Sequence, residues 1–169
     1  MFPFGQRPIT TPLSWIGEER VAIGHLPTGI AMRRLAEAGV THVVNCRARV
    51  QTWLSRDLVA ERAVFGVTRV MHAPMWDSGR IQHPRQWSAA ALFAAEVLGD
   101  DPDARVFVHC QQGRRRSVLV AYAVLRLRGR SAEEAARLIL THRAEAVLVA
   151  EYRASVEGWL AAGAGAVGP

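Results

Sequence analysis

The sequence predicts an α/β fold with a compact, central, mainly parallel sheet flanked by helices. Short β-branched segments alternate with longer helical patterns along the chain, half of its 169 residues are hydrophobic, and no internal repeat or long linker divides it. Strands that alternate with helices favour parallel pairing through helical crossovers. A chain of this length is the size of one ordinary domain. We therefore expect a single domain over residues 13–160, an N-terminal extension at 1–12 and a flexible tail at 161–169.

The predicted strands are short and apolar. Two segments near the start of the chain, 13–16 and 21–23, predict a hairpin of short strands, and Gly24 ends the second strand. Three later runs are rich in β-branched residues and are typical of buried strands. These strands are predicted over residues 41–46, 67–71 and 105–109.

Six helices are predicted between and after these strands. In the first, Ile30 and Leu35 are expected on the buried side, and Gly39 ends the helix. Ser131, followed three residues later by Glu134, is a capping-box pattern that opens the fifth. The helices are predicted over residues 28–38, 51–62, 87–98, 117–128, 131–140 and 149–160.

The composition excludes several classes of function. All 21 basic residues are arginine, so the chain has no lysine for a nucleotide-binding P-loop, a Schiff base or a pyridoxal-phosphate anchor. The net charge of +6 points to anionic partners without choosing among nucleic acid, membrane and phosphorylated substrates. Two cysteines, Cys46 and Cys110, are too few for a disulfide scaffold. We expect a cytoplasmic monomer that does not insert into membranes.

The segment Val-His-Cys-Gln-Gln-Gly-Arg-Arg-Arg-Ser, residues 108–117, carries the strongest chemical signal. It lies between a predicted strand and a predicted helix, where backbone N–H groups point outward from the helix N-terminus. Such a loop binds anions before any side chain is considered. We call residues 110–116 the anion loop.

Five residues of this segment suit phosphate chemistry. Cys110 faces the positive end of a helix, which lowers its pKa and favours a thiolate near neutral pH. Gly113 allows the loop to curl, and the planar fork of Arg116 matches two phosphate oxygens. Ser117 can donate a hydrogen bond to the sulfur and make it a better leaving group. His109 can fix the loop by hydrogen bonds to its carbonyls.

The pattern His-Cys-x5-Arg-Ser, with glycine third after the cysteine, resembles the signature of the cysteine-dependent protein tyrosine phosphatases. The small chain resembles their dual-specificity branch, and the resemblance extends from about residue 15 to 160. Matching stretches are Gly-x-Leu-Pro at 24–27, Gly-Val-Thr-His-Val-Val-Asn at 39–45 and a helix from Ser131 that ends in Arg143. The resemblance implies a dual-specificity phosphatase-like fold, one phosphatase catalytic domain at 13–160, and neither a cofactor nor a metal. It implies that phosphate is bound by Gln111, Gln112, Gly113, Arg114, Arg115 and Arg116.

The family mechanism also requires an acid on a mobile loop upstream of the cysteine. Asp77 follows a predicted strand and meets this requirement, whereas Asp57 lies in a predicted helix. The resemblance then implies two steps. Cys110 attacks phosphorus while Asp77 protonates the leaving oxygen, and a bound dianion favours the protonated carboxyl. Water then hydrolyses the phosphocysteine, with Asp77 as base and Ser117 supporting the departing sulfur.

Two features leave alternatives open. Arg115 stands directly before the signature arginine, where many relatives have a small residue. Together with Arg114 it either selects highly anionic substrates such as phosphoinositides, points to solvent, or pairs with acidic groups across the cleft. Cys46 ends a predicted strand and is either a redox partner of Cys110 or a small core residue.

The function predicted is a metal-independent phosphomonoester hydrolase that acts on phosphotyrosine, and by extension phosphoserine or phosphothreonine, in proteins. The alternative substrates are a phosphoinositide, a nucleotide or an RNA 5′ phosphate, although the lack of an aromatic-rich basic stripe argues against nucleic acid. Two other classes are a module that only binds phosphorylated partners and a sulfur-transfer enzyme. The retention of Cys110, Arg116 and Asp77 argues against the first, and Ser117 together with Asp77 against the second.

Overall fold

The computed structural model describes residues 13–163, so the expected extension at 1–12 and the tail residues 164–169 lie outside it. The strands are β1 (Leu13–Trp15), β2 (Val21–Gly24), β3 (His42–Asn45), β4 (Val70–His72) and β5 (Val106–His109). The α-helices are α1 (Gly29–Glu37), α2 (Arg49–Ser55), α3 (Asp57–Phe65), α4 (Pro84–Asp100), α5 (Arg116–Leu127), α6 (Ala132–His142) and α7 (Ala150–Ala161).

The strands form one sheet in the order β1-β2-β5-β3-β4. The β1–β2 hairpin is antiparallel, and the other pairs are parallel. The predicted α/β class with a mainly parallel sheet is confirmed. The carboxyl ends of β2, β5, β3 and β4 therefore lie along one edge, where ligands bind in open α/β sheets.

The core has two layers, one on each face of the sheet, and the side chains of β5 alternate between them. Val106 and Val108 belong to the cluster that contains α4 and α5, whereas Phe107 belongs to the smaller cluster beneath α1 and α3. The ten residues from Arg116 to Leu125 of α5 are all buried. A helix this enclosed holds its first turn, and the anion loop before it, in a fixed position.

The predicted helix at 51–62 is wrong in one respect, because the structure divides it into α2 and α3. Arg56 between them has φ of 56°, a left-handed conformation that ends α2. The break turns Asp57 inward, where its carboxylate accepts from Asn45 and lies 2.9 Å from Nη1 of Arg47. Buried polar partners thus override continuous helical propensity.

Two smaller expectations also fail. The strand predicted at 67–71 is a 3-10 turn over Val67–Arg69 followed by β4, because pairing with β3 begins only at Val70. Ile30, expected on the buried side of α1, is 68% exposed. It lies in the first turn of the helix, and the buried face is formed by Ala31, Met32 and Leu35.

The remaining elements agree with the prediction apart from their bounds. The Ser131–Glu134 capping box is present, with the Glu134 backbone nitrogen 3.1 Å from Oγ of Ser131. Ala161, assigned to the tail, still belongs to α7. Among the described helices, none combines the length and the apolar character needed to cross a bilayer.

Candidate active site

A cavity at the carboxyl edge of the sheet brings together most of the residues that the sequence singled out. β5 ends at His109, and the anion loop then leads into α5. The cavity has a volume of about 210 Å³. Its lining residues are Gln51, Asp77, Cys110, Gln111, Gln112, Arg114, Arg115 and Arg116. A thiol, a carboxylate and the anion loop therefore surround one opening.

Cys110 is surrounded by hydrogen-bond donors. Its Sγ lies 3.2 Å from the backbone nitrogen of Gly113 and 3.4 Å from Oγ of Ser117. Burial raises the pKa of Cys110, but the hydrogen bonds from Ser117 and the charge of Arg116 outweigh it and lower the pKa to about 7. A thiolate is therefore well populated at neutral pH, as a nucleophile requires.

Three acceptors fix the guanidinium of Arg116. Its Nη1 donates to Oε1 of Gln51 and to the carbonyl of Met75, both at 2.9 Å, and the carbonyl of Cys46 lies at 3.5 Å. The backbone amide of Ala48 donates to the same Oε1 of Gln51. Within residues 13–163, Nε of Arg116 is buried without a hydrogen-bond partner. A phosphate oxygen in the cavity would satisfy such a donor.

Gly113 and Arg143 fasten the anion loop to β2. Gly113 has φ of 65°, and a Cβ at this position would overlap the backbone carbonyl of Gly24. Arg143, directly after α6, donates from Nε to the carbonyl of Gly113 at 2.6 Å and from Nη1 to the carbonyl of Ile23 at 3.2 Å. Its Nη2 also donates to the carbonyl of Gln112. These contacts within the protein therefore fix the curved shape of the anion loop.

His109 lies behind the anion loop, buried with Glu61 of α3. Its Nε2 is 2.5 Å from Oε1 of Glu61, and its Nδ1 is 3.2 Å from the carbonyl oxygen of Cys110. Both neighbours are acceptors, so both ring nitrogens donate and the ring is positively charged. Burial lowers the pKa of His109, but the charge and hydrogen bond of Glu61 outweigh burial and raise it. The bond to the Cys110 carbonyl is of the kind expected from the sequence.

Asp77 lies in a segment over residues 73–82 that we call the acid loop. Its Oδ1 accepts from the hydroxyl of Tyr152 at 2.7 Å and lies 3.4 Å from Nη1 of Arg115. The loop is also joined to α7 where the backbone amide of Gln82 donates to Oγ of Ser155 at 2.9 Å. α7 therefore holds Asp77 at the cavity that contains Cys110.

The structure separates Asp77 from Asp57. Asp77 lines the cavity, whereas Asp57 is 6% exposed and bonded to Asn45 and Arg47 at the start of α3. Within the described part of the chain, Asp77 is the carboxylate that lines the cavity together with Cys110. Its role as the acid stays a prediction.

Sequence reasoning missed Gln51, Glu61 and Tyr152. Gln51 is the third residue of α2 and bonds to the backbone nitrogen of Ala48, but an alanine before a helix gives no capping signal. Tyr152 is separated from Asp77 by 75 positions and Glu61 from His109 by 48, so no local pattern links them.

Cys46 is buried as a free thiol. Burial raises its pKa well above the ordinary value, and the neighbouring Cys110 adds to this effect. Cys46 is therefore a protonated core residue in this structure, and its redox role stays a hypothesis.

Iodoacetamide should alkylate Cys110 at a rate that reaches half its maximum near pH 7, because only the thiolate reacts and its pKa is about 7. The measurement uses a Cys46→Ala background, which leaves a single thiol. Ser117→Ala removes a donor to the sulfur, so the midpoint should move to higher pH. A midpoint near the ordinary thiol value of about 8.5 in the parent would contradict this assignment.

At the level of sequence, neither a protein-family model nor a curated protein matches the chain. Solved structures do match its fold. Human DUSP28 has a TM-score of 0.69 at 21% identity, over 89% of this chain and 94% of that chain. Tk-PTP in the active form matches with a TM-score of 0.72 at 23% sequence identity, over 94% of this chain and 97% of that chain. PTPMT1 in complex with PI(5)P matches with a TM-score of 0.72 at 20% sequence identity, over 90% of this chain and 99% of that chain. The chain thus has the fold of the dual-specificity phosphatases and related cysteine phosphatases, as the sequence resemblance implied.

Proposed function

We propose that the chain is a phosphomonoester hydrolase that uses a phosphocysteine intermediate and needs no metal ion. Its proposed substrates are phosphotyrosine proteins and, by extension, phosphoserine or phosphothreonine proteins. The observation that carries the proposal is Cys110, whose pKa is about 7, in a cavity it shares with Asp77 and Arg116. The fold supports the same chemistry, because the matched structures include phosphatases.

In the first step, the phosphate occupies the cavity with its oxygens on Arg116 and the backbone amides of the anion loop. The thiolate of Cys110 attacks phosphorus as the bond to the leaving oxygen breaks, and Asp77 transfers a proton to that oxygen. The fixed guanidinium stabilises the charge on the equatorial oxygens without reorganising. Its hydrogen bonds to Gln51 and the carbonyl of Met75 provide that fixed geometry.

In the second step, water attacks the phosphocysteine. Asp77, now a carboxylate, takes a proton from the water while the bond between sulfur and phosphorus breaks. The hydroxyl of Ser117, 3.4 Å from Sγ, stabilises the returning thiolate. The same contacts that lower the pKa of Cys110 therefore make its sulfur a good leaving group.

The exposed residues of the segment 38–95, which contains α2 and the acid loop, favour one alternative substrate, a phosphorylated lipid headgroup. Between residues 38 and 95, the acidic residues are Asp57 and Glu61, which are buried, and Asp77 in the cavity. The same span has six exposed arginines at positions 49, 56, 62, 69, 80 and 85. Trp53 and Leu54 on α2 are 76% and 70% exposed. Protruding apolar side chains among basic residues suit an anionic membrane surface, and PTPMT1, one of the matched structures, was solved with PI(5)P.

Turnover of p-nitrophenyl phosphate in the presence of EDTA tests the reaction class. Cys110→Ser should retain less than about 10⁻³ of wild-type activity, because it loses the nucleophile. Asp77→Asn should lose about 10²-fold on phenyl phosphate, a poorer leaving group that requires the acid. Cys46→Ala and the exposed Asp100→Asn serve as controls and should retain activity. Near-normal turnover by Cys110→Ser, or loss of wild-type turnover with EDTA, would contradict the proposal.

A substrate comparison separates the protein and lipid alternatives. Wild type is assayed on a phosphotyrosyl peptide, on PI(5)P in phosphatidylcholine vesicles and on the soluble inositol phosphate headgroup. If vesicle lipid is the substrate, Leu54→Ala should lower kcat/KM on vesicles about tenfold, since burying a leucine contributes about 1.5–3 kcal/mol, and leave the soluble headgroup unaffected. The exposed Leu140→Ala on α6 is the control. A preference for the peptide, with no effect of Leu54→Ala, would favour protein substrates instead.

A further inference from the structure

Arg115 lies between the acid loop and α7, although the sequence pattern favours a small residue at its position. Its Nη1 is 3.4 Å from Oδ1 of Asp77, and its guanidinium carbon is 5.8 Å from the centre of the Tyr152 ring. A Cβ on Gly79 would lie 2.9 Å from Nη2, so the acid loop passes close to the guanidinium. Arg115 therefore joins the anion loop, the acid loop and α7.

Tyr152 completes this arrangement from α7. Its ring is buried, and its hydroxyl donates to Oδ1 of Asp77 at 2.7 Å while accepting from the backbone nitrogen of Gly79 at 3.1 Å. Burial raises the pKa of Tyr152, so the hydroxyl keeps the proton that it donates. A hydroxyl donor and a cationic guanidinium therefore both lie at Oδ1. Oδ2 of Asp77 makes no hydrogen bond with the described residues.

We propose that Arg115 and Tyr152 are positioning residues that hold the acid loop against the anion loop and assign the transferred proton to Oδ2 of Asp77. The inference rests on the proposed function, since it concerns the acid of that reaction. In the structure, contacts to α7 and to Arg115 hold the acid loop at the cavity, whereas the family resemblance implies a mobile loop. A carboxyl group whose Oδ1 accepts a hydrogen bond and lies beside a cation keeps its proton on the other oxygen.

Tyr152 and Arg115 act in both chemical steps. As the bond between Sγ of Cys110 and phosphorus forms and the bond to the leaving oxygen breaks, the proton passes from Oδ2 to that oxygen. The carboxylate left behind is stabilised by the cation of Arg115 and the hydroxyl of Tyr152. When water displaces the sulfur, it returns one proton to Oδ2. The pair thus orients the carboxyl and supports its charged form.

Leaving-group dependence tests the proposal. Tyr152→Phe and Arg115→Ala should each lower kcat on phenyl phosphate about tenfold, a fraction of the full effect of a general acid. They should change kcat on dinitrophenyl phosphate little, because that leaving group departs without a proton. KM should stay the same, since position 115 contributes a backbone amide to phosphate binding, which alanine retains, and Arg116 is untouched. Arg115→Lys, which restores the charge, should recover part of the loss.

The control is Arg80→Ala, which removes an exposed arginine from the same acid loop. Its side chain has no ion pair within the described residues, so kcat should be unchanged on both substrates. Equal losses on phenyl and dinitrophenyl phosphate in Arg115→Ala, or no loss on either, would overturn the proposal. An effect of Arg80→Ala equal to that of Arg115→Ala would also overturn it, because net charge alone would then explain both.

Amide hydrogen exchange supplies a readout that does not need turnover. The amides of Gly79 and Gln82 donate to α7, so Arg115→Ala should increase their exchange severalfold, and Tyr152→Phe should expose Gly79. If wild type hydrolyses no phosphomonoester but exchange rises as expected, the proposed function fails and the docked loop stands. If wild type is active and exchange in the variants equals that of wild type, the docked loop is refuted and the phosphatase stands.

Discussion

The arrangement depends on keeping the buried sulfur of Cys110 ionised. Burial opposes the thiolate, and hydrogen bonds from Ser117 together with the charge of Arg116 overcome it. These donors are effective because the fold fixes them beforehand. β5 delivers the cysteine to the edge of the sheet, and the buried helix α5 begins where the anion loop ends. The loop amides and the helix N-terminus then present donors to the same small volume.

Contacts on two sides keep this loop from relaxing. Arg143 binds the carbonyl of Gly113 and joins the loop to β2. The charged pair of His109 and Glu61 lies behind the loop and binds the carbonyl of Cys110. A buried pair of this kind stabilises the fold little by itself, but it fixes the peptide that carries the nucleophile. The structural role of these residues is therefore to orient backbone groups rather than to contact substrate.

The sequence was sufficient for the parts of the site that are contiguous or patterned. The anion loop, its flanking strand and helix and the parallel sheet follow from local composition, and Asp77 could be chosen over Asp57 by its position after a strand. Tyr152, Glu61 and Gln51 could not be found, because each acts through a tertiary contact with no local signature. The break at Arg56 was missed for the same reason. It depends on the partners of Asp57, which β3 and its following residues supply.

Trapping the covalent intermediate tests the central claim most directly. Wild type is mixed with an excess of p-nitrophenyl phosphate, quenched in acid within the first turnovers, and digested for mass spectrometry under conditions that preserve phosphocysteine. The account predicts one added phosphoryl group, found on the peptide that contains Cys110 and removed when the enzyme is left to exhaust its substrate. Turnover with no adduct, or with the phosphoryl group on another residue, would contradict nucleophilic catalysis by this thiolate.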